Sequence, residues 1–242
     1  MKKNITPYKN SSLSKKQQVS KMFDNIATSY DFLNHFLSLG IDIYWRKKLV
    51  KKVSNQQPNT ILDVATGTAD LAIELLKVNA QKITGIDISK GMLDVGRKKL
   101  RKKDPNNIIT LIQADSENLP FKDNSFDAVC VSFGVRNFEN LEKGLREMNR
   151  ILNNKGKLYI LEFSKPTLFP FKQIYMIYFK FILPLFGKII SRDNSAYSYL
   201  PESVNAFPSG ISLNSIIENC GYKKVVNQPL TMGIASIYTA EK

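Results

Sequence analysis

Three aspartates and one small-residue turn carry the chemistry that is legible in this chain. Asp63 lies in an apolar run, TILDVA (60–65), and the turn that follows reads ATGTADLA from Ala65 to Ala72. Small side chains at a strand end let backbone N–H groups approach a ligand, and a helix starting beyond them adds the positive end of its dipole. The turn is not a dinucleotide fingerprint, because Ala65 and Ala69 stand where glycines of G-x-G-x-x-G would fall around Gly67. Asp87 closes a second run, TGIDIS, 20 residues after Gly67, where a carboxylate can accept both hydroxyl protons of a ribose. Asp115 follows a third run, in QADSENLPF, and is placed to meet an adenine amino group. Three acidic strand ends on one edge suit an adenosine-containing molecule whose other end is cationic. They would repel a triphosphate, and no G-x-x-x-x-G-K-[ST] loop occurs. Asp63 has two readings at this stage, contact with that ligand or anchoring of the turn through backbone amides.

The elements that must position these residues alternate along the chain. Short β-type runs at 60–65, 82–88, 108–114, 126–132 and 157–163 are separated by helix-like stretches at 70–78, 90–102 and 139–152. That rhythm predicts βα units building an α/β fold, a mostly parallel sheet with helices on both faces. Before it, apolar residues at helical spacing (Met22, Phe23, Ile26, then Leu33, Phe36, Leu37) predict short amphipathic helices, and residues 1–18 read as a mobile tail. After Lys165 the rhythm breaks for about forty residues rich in aromatics and proline. It resumes with a helix at 213–219 and strands near 223–228 and 234–240. The expected organisation is one domain over 1–242. It comprises a tail and helical cap (1–52), a ligand-binding core (53–164), an insertion over the site (165–208), and a final helix and strands (209–242).

Composition excludes several classes. The chain has 242 residues, 43% of them hydrophobic, enough for a substantial core. The most apolar stretch, 174–190, is interrupted by Lys180, Pro184 and Lys188, so no membrane-spanning helix is expected. The N-terminus has basic residues without an apolar run after them, which argues for a cytoplasmic protein. Cys130 and Cys220 are the only cysteines and His35 the only histidine, so neither a disulfide framework nor a metal site is expected. The net charge is +14, carried by 28 Lys and 7 Arg against 21 acids, and it is clustered at 1–52, 88–103 and 165–192.

The run from Asp63 to Ala72, with Asp87, Asp115 and the segment FDAVCVSFGVRNF, resembles the successive motifs of the Rossmann-like class I S-adenosylmethionine-dependent methyltransferases. More closely, the chain resembles the ubiquinone/menaquinone biosynthesis C-methyltransferase family. The resemblance lies in FDNIATSYDFLNHFLSLGIDIYWRKKL (23–49), SFGVRNF (132–138), LREMNRILNNKGKLYILEFSKP (145–166), DNSAYSYLPESVNAFP (193–208) and MGIASIYTAEK (232–242). It covers about nine tenths of the chain and implies a seven-stranded sheet. It further implies S-adenosylmethionine contacts from Gly67 and Thr68 in the turn, from Asp87 at the ribose, from Asp115 and Ser116 near adenine, and from Ser132. The implied substrate is a polyprenylated hydroquinone, demethylmenaquinol or, alternatively, the benzoquinol of ubiquinone biosynthesis.

Methyl transfer to a ring carbon needs the carbon aligned with the methyl group and its electron density raised through the adjacent phenolic oxygen. The ring must therefore be reduced, since a quinone is electron-poor. Arg136 and Asn137, which follow the fourth strand, are the leading catalytic candidates, with Tyr197 from the insertion beside them; Tyr199, Tyr30 and Asp31 rank second. Each residue also has a structural reading. Arg136 would pair with Glu139, Tyr30 and Asp31 would fasten the cap to the sheet, His35 would pack or cap, Trp45 would pack on the domain, and Cys130 would lie in the core. The segment 165–192, aromatic and basic without an acid, reads as a lid meeting an anionic membrane surface at the inner face of the membrane, or as a helix buried on the domain or in a homodimer interface. A nucleic-acid methyltransferase would use the positive charge, but that apolar insertion and the lack of an N/D-P-P-Y/F motif count against a nucleic-acid partner. A binding module that keeps the cofactor fold without turnover is the other competing reading.

Overall fold

In a computed structural model, residues 5–178 and 194–242 are described, without the side chains of 194–197. The five parallel runs become β1 (Thr60–Val64), β2 (Lys82–Asp87), β3 (Ile109–Gln113), β4 (Phe126–Ser132) and β5 (Leu152–Phe163). The last two strands are β6 (Lys223–Leu230) and β7 (Ala235–Glu241). They form one seven-stranded sheet in the order β3-β2-β1-β4-β5-β7-β6. Strands β1 to β5 pair in parallel, and β7 runs antiparallel between β5 and β6. Strand order reverses between β1 and β4, so the turns leaving these two strands diverge and open a crevice at their carboxyl ends.

Alternation along the central strands builds two cores. Leu62 and Val64 of β1, Val129 and Val131 of β4, and Leu158 and Ile160 of β5 face one side. There they meet α6 (Leu141–Ile151) and α9 (Ile211–Asn219) through Leu145, Met148, Leu213 and Ile217. Ile61, Cys130, Tyr159 and Leu161 face the other side, against α3 (Ile41–Ser54) and α4 (Asp70–Leu75). Burial on both faces is why these strands read as continuous apolar runs. Helix α5 (Lys90–Lys103) starts at Ser89, whose hydroxyl accepts from the Met92 N–H, a side-chain cap just beyond Asp87.

The N-terminal region departs from the expected tail. Ser14 and Gln17 form a reciprocal capping box that starts α1 (Lys15–Ile26), and the Tyr8 N–H donates to Gln18. The chain is therefore folded onto the domain well before residue 19. Val19, Met22 and Ile26 of α1 pack with Leu33 of α2 (Tyr30–Leu37), with Met92 of α5 and with Tyr199, a third apolar cluster standing over the sheet edge. The irregular stretch after Lys165 contains α7 (Phe171–Ile177) and α8 (Asn194–Ala206). Strand β5 also begins earlier than the apolar run indicates, because Leu152 pairs with Phe126 ahead of a register shift.

Candidate active site

The crevice is built around the turn from Ala65 to Ala69. Ala65, Gly67 and Ala69 all take positive φ, at 54°, 56° and 69°, and for the two alanines that conformation costs about 1–2 kcal/mol each. Hydrogen bonds from the core hold it. The Thr66 N–H donates to the Ile86 carbonyl at 2.9 Å, its hydroxyl donates to Asp63 at 2.7 Å, and the Gly67 N–H donates to Asp87 at 2.9 Å. Gly85 lets the turn lie directly against β2, since a Cβ there would sit 2.9 Å from the Thr66 hydroxyl oxygen.

Asp63 is therefore an anchor: it is 1% exposed, its other oxygen has no hydrogen-bond partner, and burial pushes its carboxyl up to about 7. Asp87 lines the crevice. Its oxygens accept from the Gly67 and Ser89 N–H groups, and burial raises its carboxyl to about 6 despite those bonds. A carboxylate has about four lone-pair sites, and with the Ile88 N–H also bonding this one, one remains for a ligand. Asp115, Ser116 and Ser132 line the same crevice, which encloses about 700 Å³ including its open mouth. The Ser132 hydroxyl is buried without a partner, and a Cβ on Gly67 would meet nothing within 4 Å.

Thr68 directs its side chain into the protein. It is 2% exposed and its hydroxyl bonds Asp31 at 2.5 Å and Lys99 at 3.2 Å, so the side chain turns from the crevice to fasten α2 and α5. Asp31 is consumed by the same tie, with Lys99 at 2.8 Å. Asp115 has an unexpected neighbour. Lys16 of α1 reaches across the crevice to Asp115 at 2.7 Å and Glu117 at 3.3 Å, while the Lys15 ammonium donates to the carbonyls of Arg136 and Phe138. Both lysines lie in the stretch that composition marks as tail.

A second chamber of about 720 Å³ adjoins the first, and Phe23, Tyr30, Phe133 and Asn137 line both. Its polar lining also includes Asn34, Ser38, Asp42, Arg46, Arg136 and Tyr199. Arg136 does not pair with Glu139. Its guanidinium bonds Glu162 at 2.9 Å and the Phe133 carbonyl, lies 5.4 Å from the Phe163 ring centroid, and keeps a buried Nε with no partner. Glu139 instead accepts from the Lys15 N–H. Asn137 Oδ1 and the Tyr199 hydroxyl are also buried without partners, and burial raises the Tyr199 phenol to about 12. Tyr30 separates the two chambers, its phenol raised by burial. The Tyr197 side chain lies outside the described residues.

The remaining candidates are structural. His35 bonds Asp42 at 2.8 Å, Trp45 packs against Phe133 and Phe163 and donates to Thr231, and Cys130 is buried in the sheet. Glu162, Arg46 and Lys16 belong to the site although sequence reasoning passed over them. Glu162 had a signal, an acid at the end of an apolar strand (YILEF), the same pattern that marked Asp63 and Asp87.

The sheet order and the acidic crevice at its switch point define a class I S-adenosylmethionine-dependent methyltransferase. A Thermotoga maritima SAM-dependent methyltransferase shares this fold at 17% identity, with a TM-score of 0.63 over 92% of this chain and 99% of that one. The profile of the ubiE/COQ5 methyltransferase family matches residues 11–242. The chain is 48% identical over 239 residues to the demethylmenaquinone methyltransferase of Bacteroides fragilis, covering 98% of this chain and 97% of the relative. It is 43% identical over 230 residues to a ubiquinone/menaquinone biosynthesis C-methyltransferase of Geotalea daltonii, covering 94% and 97%. The chain belongs to the ubiE/COQ5 methyltransferase family.

Proposed function

We propose that this protein methylates a ring carbon of demethylmenaquinol, giving menaquinol. The observation that carries the reading is the pair of adjoining chambers sharing Tyr30, Phe133 and Asn137, one acidic and one aromatic with unpartnered polar atoms. S-adenosylmethionine supplies an electrophilic methyl group carried on a cationic sulfur. Gly67, Asp87, Asp115, Ser116 and Ser132 would hold it: the crevice has a spare acceptor site at Asp87, an orphaned hydroxyl at Ser132 and free space over Gly67.

In the second chamber a reduced, planar bicyclic ring would lie among Phe23, Tyr30, Phe133 and Phe163, which line it. Arg136 stays charged, and its partnerless Nε–H would donate to a ring hydroxyl oxygen as that hydroxyl loses its proton, stabilising the phenolate whose electron pair moves onto the adjacent carbon as it attacks; that carbon's own proton then leaves to restore the aromatic ring. Asn137 Oδ1 would accept a hydrogen bond from that hydroxyl and orient it, the proton itself passing to water, and Tyr199 offers a neutral O–H to the second ring oxygen. Phenylalanines enclosing the ring exclude water and strengthen each of these contacts. The polyprenyl tail of such a substrate resides in a bilayer, so turnover takes place at the cytoplasmic face of the membrane.

The name of the Geotalea daltonii relative supports a second substrate, the benzoquinol of ubiquinone biosynthesis. Mass-spectrometric turnover with a short-chain demethylmenaquinol beside the matching benzoquinol decides between them. A methylated naphthoquinone as the dominant product supports the proposal; methylation of the benzoquinol alone moves the protein to the second substrate, and product from neither overturns both.

A further inference from the structure

Helix α2 has two faces with different tasks. Tyr30, Asn34 and Ser38 line the second chamber, while Phe32, stacked on Phe36 one turn further on with centroids at 5.8 Å, points outward. Phe32 is 61% exposed, and Leu39, in the turn to α3, is 83% exposed. The first turn of α3 continues this surface with exposed Ile43 and Tyr44. One turn further on, at i+4 from each, stand exposed Lys47 and Lys48, with the Lys48 ammonium 5.3 Å from the Tyr44 ring. The Tyr178 hydroxyl donates to the Leu37 carbonyl at 2.5 Å, which joins the end of α7 to this region. Leu168, Phe169, Ile174 and Ile177 are exposed there, with Lys172 among them.

A surface with this many large apolar side chains is a contact site. Its charge names the occupant. On α2, α3 and residues 165–178 the acids are Asp31, tied to Thr68 and Lys99, and Asp42, buried against Arg46 and His35. The rim is therefore cationic, with no exposed acid to repel an anionic headgroup.

We infer that the outer face of α2, the start of α3 and the segment 165–178 dock on the surface of an anionic lipid bilayer, with Phe32, Leu39 and Phe169 entering the acyl boundary and Lys47, Lys48 and Lys172 meeting lipid phosphates. The pattern is that of an interfacial surface, which needs both apolar insertion and basic attraction. The docking deepens the proposed function, because one helix then separates the bilayer from the substrate chamber.

The test is flotation of the full chain with phosphatidylcholine vesicles, with and without phosphatidylglycerol. The expected result is salt-sensitive binding that requires phosphatidylglycerol. Leu39→Asp and the pair Lys47→Glu with Lys48→Glu should each weaken it by about tenfold or more, with unchanged melting temperatures and unchanged turnover of a water-soluble short-chain quinol. Three results overturn the inference: no binding to phosphatidylglycerol vesicles, binding that these variants leave intact, or a dimer that Leu39→Asp disperses in a protein that ignores lipid. Failure of short-chain turnover in the unmodified protein would count against the proposed substrate and leave the vesicle result standing, so the two are separable.

Discussion

Glu162 clamps Arg136 at both ends: one carboxylate oxygen accepts from the guanidinium at 2.9 Å, and the other lies 3.4 Å from the Arg136 backbone nitrogen. Glu162 is fully buried, so the ion pair holds the guanidinium, whose Nε has no partner, in the wall of the second chamber. Replacing Arg136 by Ala should lower kcat by about 10²–10³-fold, the scale for losing a preorganised donor at developing charge. Glu162→Gln substitutes a donor for one of two acceptors and leaves the arginine unpaired, which should cost about 3 kcal/mol of stability and lower kcat. If Glu162 acts through Arg136, adding Glu162→Gln to Arg136→Ala should lower kcat no further. Additive losses in that cycle would contradict the coupling.

Asp87 makes cofactor binding depend on pH. Its carboxyl is raised from an ordinary value of 3.8 to about 6 by burial, so the folded protein carries the carboxylate only above that pH. Affinity for S-adenosylmethionine should fall as pH drops through about 6, approaching about tenfold per pH unit below it. The ligand-free protein responds in the opposite sense. Between about pH 4 and 6 the folded state holds this proton more tightly than the unfolded chain, so the contribution of Asp87 to stability falls as pH rises. Calorimetric titration across pH 5–8 checks the first slope, and Asp87→Asn should flatten it at weak affinity.

Lys16 crosses the crevice to Asp115 and Glu117 from a position about a quarter exposed. At that exposure the contact is worth about 0.5–1 kcal/mol, so Lys16→Ala should speed cofactor release by about two- to fivefold. Stopped-flow displacement measures it. An unchanged release rate would show that α1 does not restrain the bound ligand.

Two glycines should fail in different ways. A Cβ on Gly85 would lie 2.7 Å from Leu111 Cδ2 and 2.9 Å from the Thr66 hydroxyl oxygen, so Gly85→Ala should cost about 1–3 kcal/mol of stability. Gly67 has open space and φ 56°, so Gly67→Ala adds a methyl to the crevice and about 1 kcal/mol of backbone strain. Its main effect should be on cofactor affinity. Melting curves and binding isotherms for the two variants separate these outcomes.

The parallel strands were legible because strands buried on both faces leave unbroken apolar runs, and Asp63, Asp87 and Asp115 punctuate them. What the sequence could not display was contact between distant segments. Lys16 meets Asp115 across 99 positions, and Glu162 meets Arg136 across 26, with no local period to betray either. The ties of Thr68 were hidden for a related reason: the resemblance implied a cofactor contact there, and its hydroxyl is held by Asp31 and Lys99 on separate helices. The outward face of α2 was hidden inside a helical pattern whose inward residues explain only half of its apolar content.

The central claim, that the second chamber raises the electron density of a reduced ring for attack on a methyl group, is tested most directly by a single-turnover experiment. Labelled S-adenosylmethionine and a short-chain demethylmenaquinone are mixed with the protein, with and without dithionite, and the ring product is followed by mass spectrometry. Label should appear on the ring carbon beside a hydroxyl only under reduction, and Arg136→Ala should slow its appearance while leaving cofactor affinity unchanged. Equal methylation of the oxidised quinone, or an Arg136→Ala rate equal to that of the unmodified protein, would contradict it.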